Sequence, residues 1–256
     1  MLHVVTTATE SMYYLPYLYD TCARNGVELT VLGYGEKWNG YIFKLEKMVN
    51  FLRSIDIGDI VCFVDGYDVI CTRNLGALVQ TFLNIRERER CQIVIAKDGG
   101  TIIPSFISDM YFGSCKNNFI NTGTYIGFAG DVLTTILESI DMYPTEKDDQ
   151  RLLTNYCNKF PDKFYIDVNY EVFYAHLYPL TEAKIVGSPF FVHAPGCGYL
   201  DSILTDMGYD VDTNIKPALR KYFFKKSSEH AVVFLKRYIL WIILIILIIV
   251  FLTMNK

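Results

Sequence analysis

The sequence predicts an α/β protein built on a Rossmann-like layer, and three observations carry that prediction. Short apolar strands alternate with amphipathic helices from residue 2 to residue 96, the pattern of βαβ units. Ile60–Val64 is an unbroken apolar run, as in a strand buried on both faces of a sheet. Two carboxylates, Asp65 and Asp68, follow directly at the carboxyl end of that strand, where open α/β sheets bind ligands.

Taken in order, residues 2–8 (Leu-His-Val-Val-Thr-Thr-Ala) read as a first strand. Thr9, Glu10 and Ser11 suggest a helix start, with Pro16 tolerated in the first turns and Asn25-Gly26 ending the helix. Val27–Leu32 is a second strand, and residues 33–40 form a polar loop around Trp38. Phe43, Leu45, Met48, Val49, Leu52 and Ile55 recur at helical spacing, which predicts a helix over 42–55. The third strand, Ile60–Val64, is followed by a helix over Asn74–Arg88 and a fourth strand over Cys91–Ala96. Asp98–Asn121 reads as a long loop, a length usually reserved for function or disorder. A strand over Thr122–Ala129 and a helix over Val132–Ile140 come next. Asp148-Asp149-Gln150 opens another helix, where acidic residues suit the helix dipole. Phe164–Val168 and Ile185–Val192 read as short strands, the latter ending at His193, and Tyr199–Met207 as a short helix.

The chain has 256 residues and 51% apolar composition, enough for one sizeable core. Its net charge of −4 argues against a nucleic-acid partner, which normally meets a basic face. The seven cysteines are scattered and contain no C-x-x-C pair, neither a zinc signature nor a disulfide framework. They read as buried, reduced thiols of a reducing compartment. No signal peptide opens the chain. From Tyr238 to Leu252 nearly every residue is Ile, Leu, Val, Phe or Trp, with no polar face, which favours a membrane anchor over a buried helix. The expected organisation is a domain over 1–207, a linker over 208–230 and a single-pass C-terminal anchor in the lipid bilayer over 231–253. Seven basic residues between Lys216 and Arg237 precede the apolar run and only Lys256 follows it. The positive-inside rule then keeps the domain on the cytosolic side of a tail-anchored protein.

Asp65, Asp68 and His193 form a possible ligand set. Carboxylates suit Mg²⁺ and Mn²⁺, and an imidazole tilts the choice toward Mn²⁺. The alternative is a polar turn closing a strand, with a structural His. The loop Ala194-Pro195-Gly196-Cys197-Gly198-Tyr199 would let backbone amides approach a phosphate, though Gly-rich turns also occur without ligands. A metal at this place suggests a nucleoside diphosphate. Trp38 or Tyr67 suits stacking on a base, or plain packing.

Leu32-Gly33-Tyr34-Gly35-Glu36-Lys37-Trp38, Lys44, Phe63–Val69, Ile120–Phe128, Asp148-Asp149-Gln150 and His193-Ala194-Pro195-Gly196 occur in one order. In that order and spacing the chain resembles, over roughly residues 3–200, the N-terminal glycosyltransferase domain of procollagen lysyl hydroxylases and its stand-alone relatives. The resemblance implies a GT-A fold and a metal-dependent transfer of a hexose from a UDP-sugar to a hydroxyl acceptor, a hydroxylysine-linked or other glycan or protein. It makes Asp65, Asp68 and His193 the metal ligands, and Tyr67 and Trp38 residues around the uridine and donor. Lys44 becomes a basic residue near the nucleotide, and Gly196 the glycine of the diphosphate loop. Asp148 and Asp149 become the acidic residues facing the transferred sugar and acceptor. One departure stands out: the family pattern places a Lys that meets the diphosphate where this chain has Tyr199. Either Lys44 compensates or donor affinity is weakened, and a non-catalytic, membrane-tethered nucleotide-sugar binding protein is the alternative. The family's hydroxylase half has no counterpart after residue 200, and a cytosolic face sets the chain apart from collagen-modifying relatives.

Overall fold

Ile60–Val64 forms β3, and every one of its five residues is buried. Its side chains divide between two cores, as the alternation of a strand requires. Ile60, Cys62 and Val64 enter one cluster, Val61 and Phe63 the other. The structure is a computed structural model that describes residues 1–98, 113–176 and 178–228.

The other strands are β1 (Leu2–Thr7), β2 (Leu29–Leu32), β4 (Val69–Cys71), β5 (Ile93–Lys97), β6 (Ile120–Phe128), β7 (Phe164–Asp167), β8 (Phe173–Ala175) and β9 (Phe191–His193). The helices are α1 (Leu15–Arg24), α2 (Ile42–Leu52), α3 (Leu78–Glu89), α4 (Ala129–Met142), α5 (Asp149–Lys159) and α6 (Asp201–Asp206). Six strands form a sheet in the order β2-β1-β3-β6-β5-β7. It is mixed, because β6 runs antiparallel to both β3 and β5 while the other pairs are parallel. Leu15 and Leu18 of α1 and Phe82 and Ile85 of α3 pack on one face. Leu45 and Met48 of α2, Val132 and Ile136 of α4, and Leu152 and Tyr156 of α5 pack on the other. The expected α/β layer is therefore present, with helices on both faces.

A second sheet, β4-β9-β8, has three strands of three residues each. β4 has no counterpart in the sequence reading, because Val69-Ile70-Cys71 is too short to show a period. The strand expected over Ile185–Val192 shrinks to Phe191–His193. Gly187 stands at φ 73° and Pro189 lacks an N–H, so neither can join a ladder. The first helix begins at Leu15 rather than at Thr9–Ser11. The amides of Thr9 and Glu10 donate to the Tyr67 hydroxyl instead (3.0 and 3.3 Å), which holds that segment as a loop. The Asp98–Asn121 loop is described only at its ends.

The cysteine reading requires a correction: Cys115 and Cys157 form a disulfide across 42 residues. Spacing reveals only local motifs, and here the fold brings a residue just before β6 against α5 in one apolar cluster. The remaining five are free and buried, as expected.

Met1–Asp212 is one compact unit. After it, residues 215–228 are helical where a linker is expected. No helix among the described residues is long and apolar enough to cross a membrane. The expected anchor over 231–253 lies outside the described residues.

Candidate active site

The main-chain amide of Asp65 leaves β3 by donating to the Gly123 carbonyl of β6 at 2.7 Å. Three residues on, β4 pairs antiparallel with β9 and sets Val69 opposite His193. The Ala194 amide donates to the Asp68 carbonyl at 2.8 Å, so β9 is fastened to the Asp65–Asp68 turn. His193 Nε2 consequently lies 3.1 Å from Asp68 Oδ1 and 3.9 Å from Asp65 Oδ2. Ligand atoms of the three residues lie within 4.8 Å of one another.

Three features fit this cluster to a divalent cation. His193 is 2% exposed, yet neither ring nitrogen has a hydrogen bond among the described residues. Nε2 meets Asp68 at 3.1 Å as an ion-pair approach, and Nδ1 is a buried polar atom without a hydrogen bond, which calls for a partner. The donor set is two carboxylates and an imidazole, which suits hard to borderline metals. Finally, Gly123 leaves the space: a Cβ there would fall on His193 Cε1 and within 2.5 Å of Asp65 Oδ2. Burial opposes the His193 imidazolium, but Asp68 and then Asp65 outweigh it and raise the pKa. Nearby hydroxyls of Thr6, Thr124 and Tyr125 also lack partners among the described residues.

A second set of charges adjoins the first. Lys44, in the first turn of α2, sends Nζ to Asp65 Oδ1 at 3.1 Å and to Asp149 Oδ2 at 2.6 Å. The Thr122 hydroxyl of β6 donates to the same Asp149 oxygen at 3.0 Å. Burial works against the Lys44 ammonium, but Asp149 and Asp65 more than offset it and raise its pKa. Phe63 lies beneath, its ring centre 5.5 Å from Nζ, so part of the ammonium's surroundings is an aromatic face.

The other expected residues are placed as follows. Asp148 caps α5, Oδ1 accepting from the Arg151 amide at 2.9 Å. Burial raises its pKa despite that bond. Its neighbour Asp149 turns inward to Lys44, so the pair splits between two tasks. Tyr67 spends its hydroxyl on the β1–α1 loop and sets its ring edge-on to Tyr13 at 6.1 Å. Trp38 is 42% exposed and edge-on to Tyr41 and Phe43. Gly196 stands at φ 68° with open space where a Cβ would be, followed by Cys197 at φ 72°. The Tyr199 amide donates to the Thr181 carbonyl at 2.8 Å. Sequence reasoning assigned no task to Thr122 and Gly123. Their place in the long, buried strand β6, opposite the end of β3, is what gives them one.

The family model of the PLOD GT domain matches residues 1–174. A multifunctional procollagen lysine hydroxylase and glycosyltransferase of Caenorhabditis elegans is 26% identical over 165 residues, which is 59% of this chain and 22% of that protein. The match thus spans about a fifth of the relative's length. Among solved structures, the galactosyltransferase LgtC in complex with donor and acceptor sugar analogs is similar at a TM-score of 0.48 and 14% identity, covering 84% of this chain and 98% of that one. A glycosyltransferase involved in the glycosylation of the major capsid of PBCV-1 is similar at a TM-score of 0.48 and 12% identity, covering 80% and 97%.

Proposed function

The chain belongs to the PLOD GT domain family of glycosyltransferase domains, and from that premise we propose that it is a metal-dependent GT-A enzyme. In this reading it moves a hexose from a UDP-sugar to a hydroxyl of a glycan or protein acceptor. The observation that carries the reading is the buried His193 imidazole set 3.1 Å from Asp68 and 3.9 Å from Asp65 at the end of β3. These three residues would hold the cation, with Mn²⁺ favoured by the mixed N/O donor set. Bound there, it would offset the charge that develops on a departing UDP. The rest falls to the chain itself. Lys44 holds Asp149 and Asp65 in fixed positions. Asp149, anchored by Lys44 and Thr122, presents a carboxylate to the sugar or its acceptor. Asp148 caps the helix that carries Asp149 and is the second carboxylate offered to the sugar or its acceptor. Backbone amides of the loop around Gly196 are available to a phosphate, and Trp38 and Tyr67 flank the nucleoside.

The test is UDP release from a panel of UDP-sugars with and without Mn²⁺. Asp65→Asn and Asp68→Asn should each abolish metal-dependent turnover. Unchanged turnover in both would refute the assignment. One observation favours a second reading, binding without transfer: Tyr199 stands where the family pattern has a Lys, and Lys44 is already paired to two carboxylates. Calorimetric binding of UDP and Mn²⁺ with no UDP-sugar turnover would select it.

For localisation we propose a membrane-anchored protein, on the apolar run from Tyr238 to Leu252 within the expected anchor over 231–253. The basic residues ahead of that run favour a cytosolic domain, whereas the Cys115–Cys157 disulfide is of the kind that oxidising compartments preserve. Protease digestion of intact membranes decides: a cytosolic domain is cleaved without detergent.

A further inference from the structure

β8 runs parallel to β9, with Ala175 opposite His193. Both chains therefore leave the small sheet at the same carboxyl edge. One runs into Ala194–Tyr199, the other into a cleft of about 480 Å³. Its walls include Tyr170, Tyr174, His176, Tyr178, Thr181 and Glu182. That volume falls within the range of about 300–1,000 Å³ usual for small-molecule sites. The cleft does not include the Asp65–Asp68–His193 cluster, but the backbone ties the two together. The His176 amide donates to the His193 carbonyl at 2.7 Å, and the Leu180 amide to the Cys197 carbonyl at 3.0 Å. Tyr199 and Ala183 are joined to the facing segment by bonds of 2.8 Å each.

We propose that this cleft is a saccharide subsite, the place where the sugar portion of the acceptor rests. It rests on the glycosyltransferase reading and extends it to the acceptor side. A pyranose has a C–H face and a rim of hydroxyls, and the cleft offers the complement of both. Tyr178 is 51% exposed, so its ring is presented to solvent rather than spent in the core. His176 and Tyr178 meet edge-on at 6.2 Å, and Tyr170 and Tyr174 edge-on at 5.1 Å, so the aromatic rings line the cleft in two pairs. The polar groups stand among the rings: the Thr181 hydroxyl, 2.8 Å from His176 Nε2, and the Glu182 carboxylate, which accepts from the Ser202 amide at 3.1 Å. Two turns bordering the cleft hold Tyr170 at φ 55° and Leu180 at φ 57°. Such left-handed backbone is uncommon outside glycine and clusters at ligand sites. Trp38 and Tyr67, the residues assigned to the nucleoside, are not among the cleft's walls, which leaves it to the acceptor.

The experiment is saturation-transfer difference NMR on the full chain, with methyl β-galactoside, methyl β-glucoside and lactose as probes and no UDP-sugar present. At least one sugar should give a transfer signal in wild type and in Asp65→Asn. Tyr178→Ala should weaken its affinity about three- to tenfold, the loss of one ring contact, while Tyr178→Phe keeps it. Circular dichroism of each variant reports folding. No signal from any sugar, an unchanged affinity in folded Tyr178→Ala, or displacement of the sugar by UDP would overturn the proposal. Because the readout needs neither donor nor turnover, a chain that binds sugar but transfers none fails the enzymatic reading and leaves the subsite standing.

Discussion

Replacing Lys44 by Met tests how the charged half of the site is held together. The side chain is 10% exposed and bridges Asp149, 7% exposed, and Asp65, 30% exposed. Met keeps the apolar stem and removes only the ammonium. Asp149 then remains buried with one neutral donor, the Thr122 hydroxyl. Removing one partner of a buried ion pair costs about 3–5 kcal/mol. Asp65 adds little, because a partly exposed pair is worth about 0–1 kcal/mol. The expected loss is therefore about 3–5 kcal/mol. With a urea slope of about 2–3 kcal/mol per M for a domain of this size, the unfolding midpoint falls by roughly 1–2 M. The double variant Lys44→Met/Asp149→Leu discards both charges and should recover about 2 kcal/mol of that loss, since a pair replaced by apolar groups is often near neutral. Its cycle with the single variants measures the coupling. A loss below about 1 kcal/mol for Lys44→Met, or strict additivity in the double variant, would show that the two groups are not energetically coupled.

Four further outcomes are expected. Asp148→Asn should keep the α5 cap and stay within a few tenths of a kcal/mol of wild type, while Asp148→Ala loses about 1 kcal/mol; lost transfer in the Asn variant then reports chemistry, not folding. Asp167 is fully buried and accepts from the amides of Glu171, Val172 and Phe173, yet burial still raises its pKa. The folded state then binds the proton more tightly than the unfolded chain, so Asp167 contributes less stability as pH climbs through the carboxylate range, and the wild-type advantage over Asp167→Asn should shrink in urea melts taken upward from pH 4. Under denaturing, non-reducing conditions five thiols should react with a thiol reagent, and Cys115→Ala/Cys157→Ala should lose about 2–4 kcal/mol by the loop-closure argument. Mn²⁺ at a hundred times its dissociation constant should add about 2.7 kcal/mol to wild-type stability and nothing to His193→Ala.

Most of the large sheet was legible from the sequence, because its strands are apolar runs separated by helices with a clear period. Ile60–Val64 appears with the expected bounds. What escaped was set by long-range contacts. β4 is three residues long, and its existence depends on β9, more than a hundred residues later. That same pairing is what delivers His193 to Asp68, so the residue was legible while the means of its delivery was not. Lys44 was legible as a basic residue, but its partners come from β3's end and α5, and no spacing rule connects positions 44, 65 and 149. The disulfide escaped for the same reason. Thr9–Ser11 looked like a helix start by local chemistry, and a tertiary contact with Tyr67 overrode it.

The charges of the site explain why these pieces belong together. Asp65, Asp68 and Asp149 bring three carboxylates against the one ammonium of Lys44. Before His193 is counted, two negative charges remain in excess. A divalent cation held by Asp65, Asp68 and His193, as proposed, would balance that excess. The balance also limits what Lys44 can do. Lys44 is held by two carboxylates, so in the proposed reading it is not a loose cation free to take the place of the Lys expected where Tyr199 stands. In the proposed reading, the amides around Gly196 and Cys197, two successive left-handed residues, and a cation held by Asp65, Asp68 and His193 would meet the negative charge of the diphosphate. If the proposed transfer is right, UDP release by this chain should fall more steeply on removal of Mn²⁺ than in a relative that keeps the Lys.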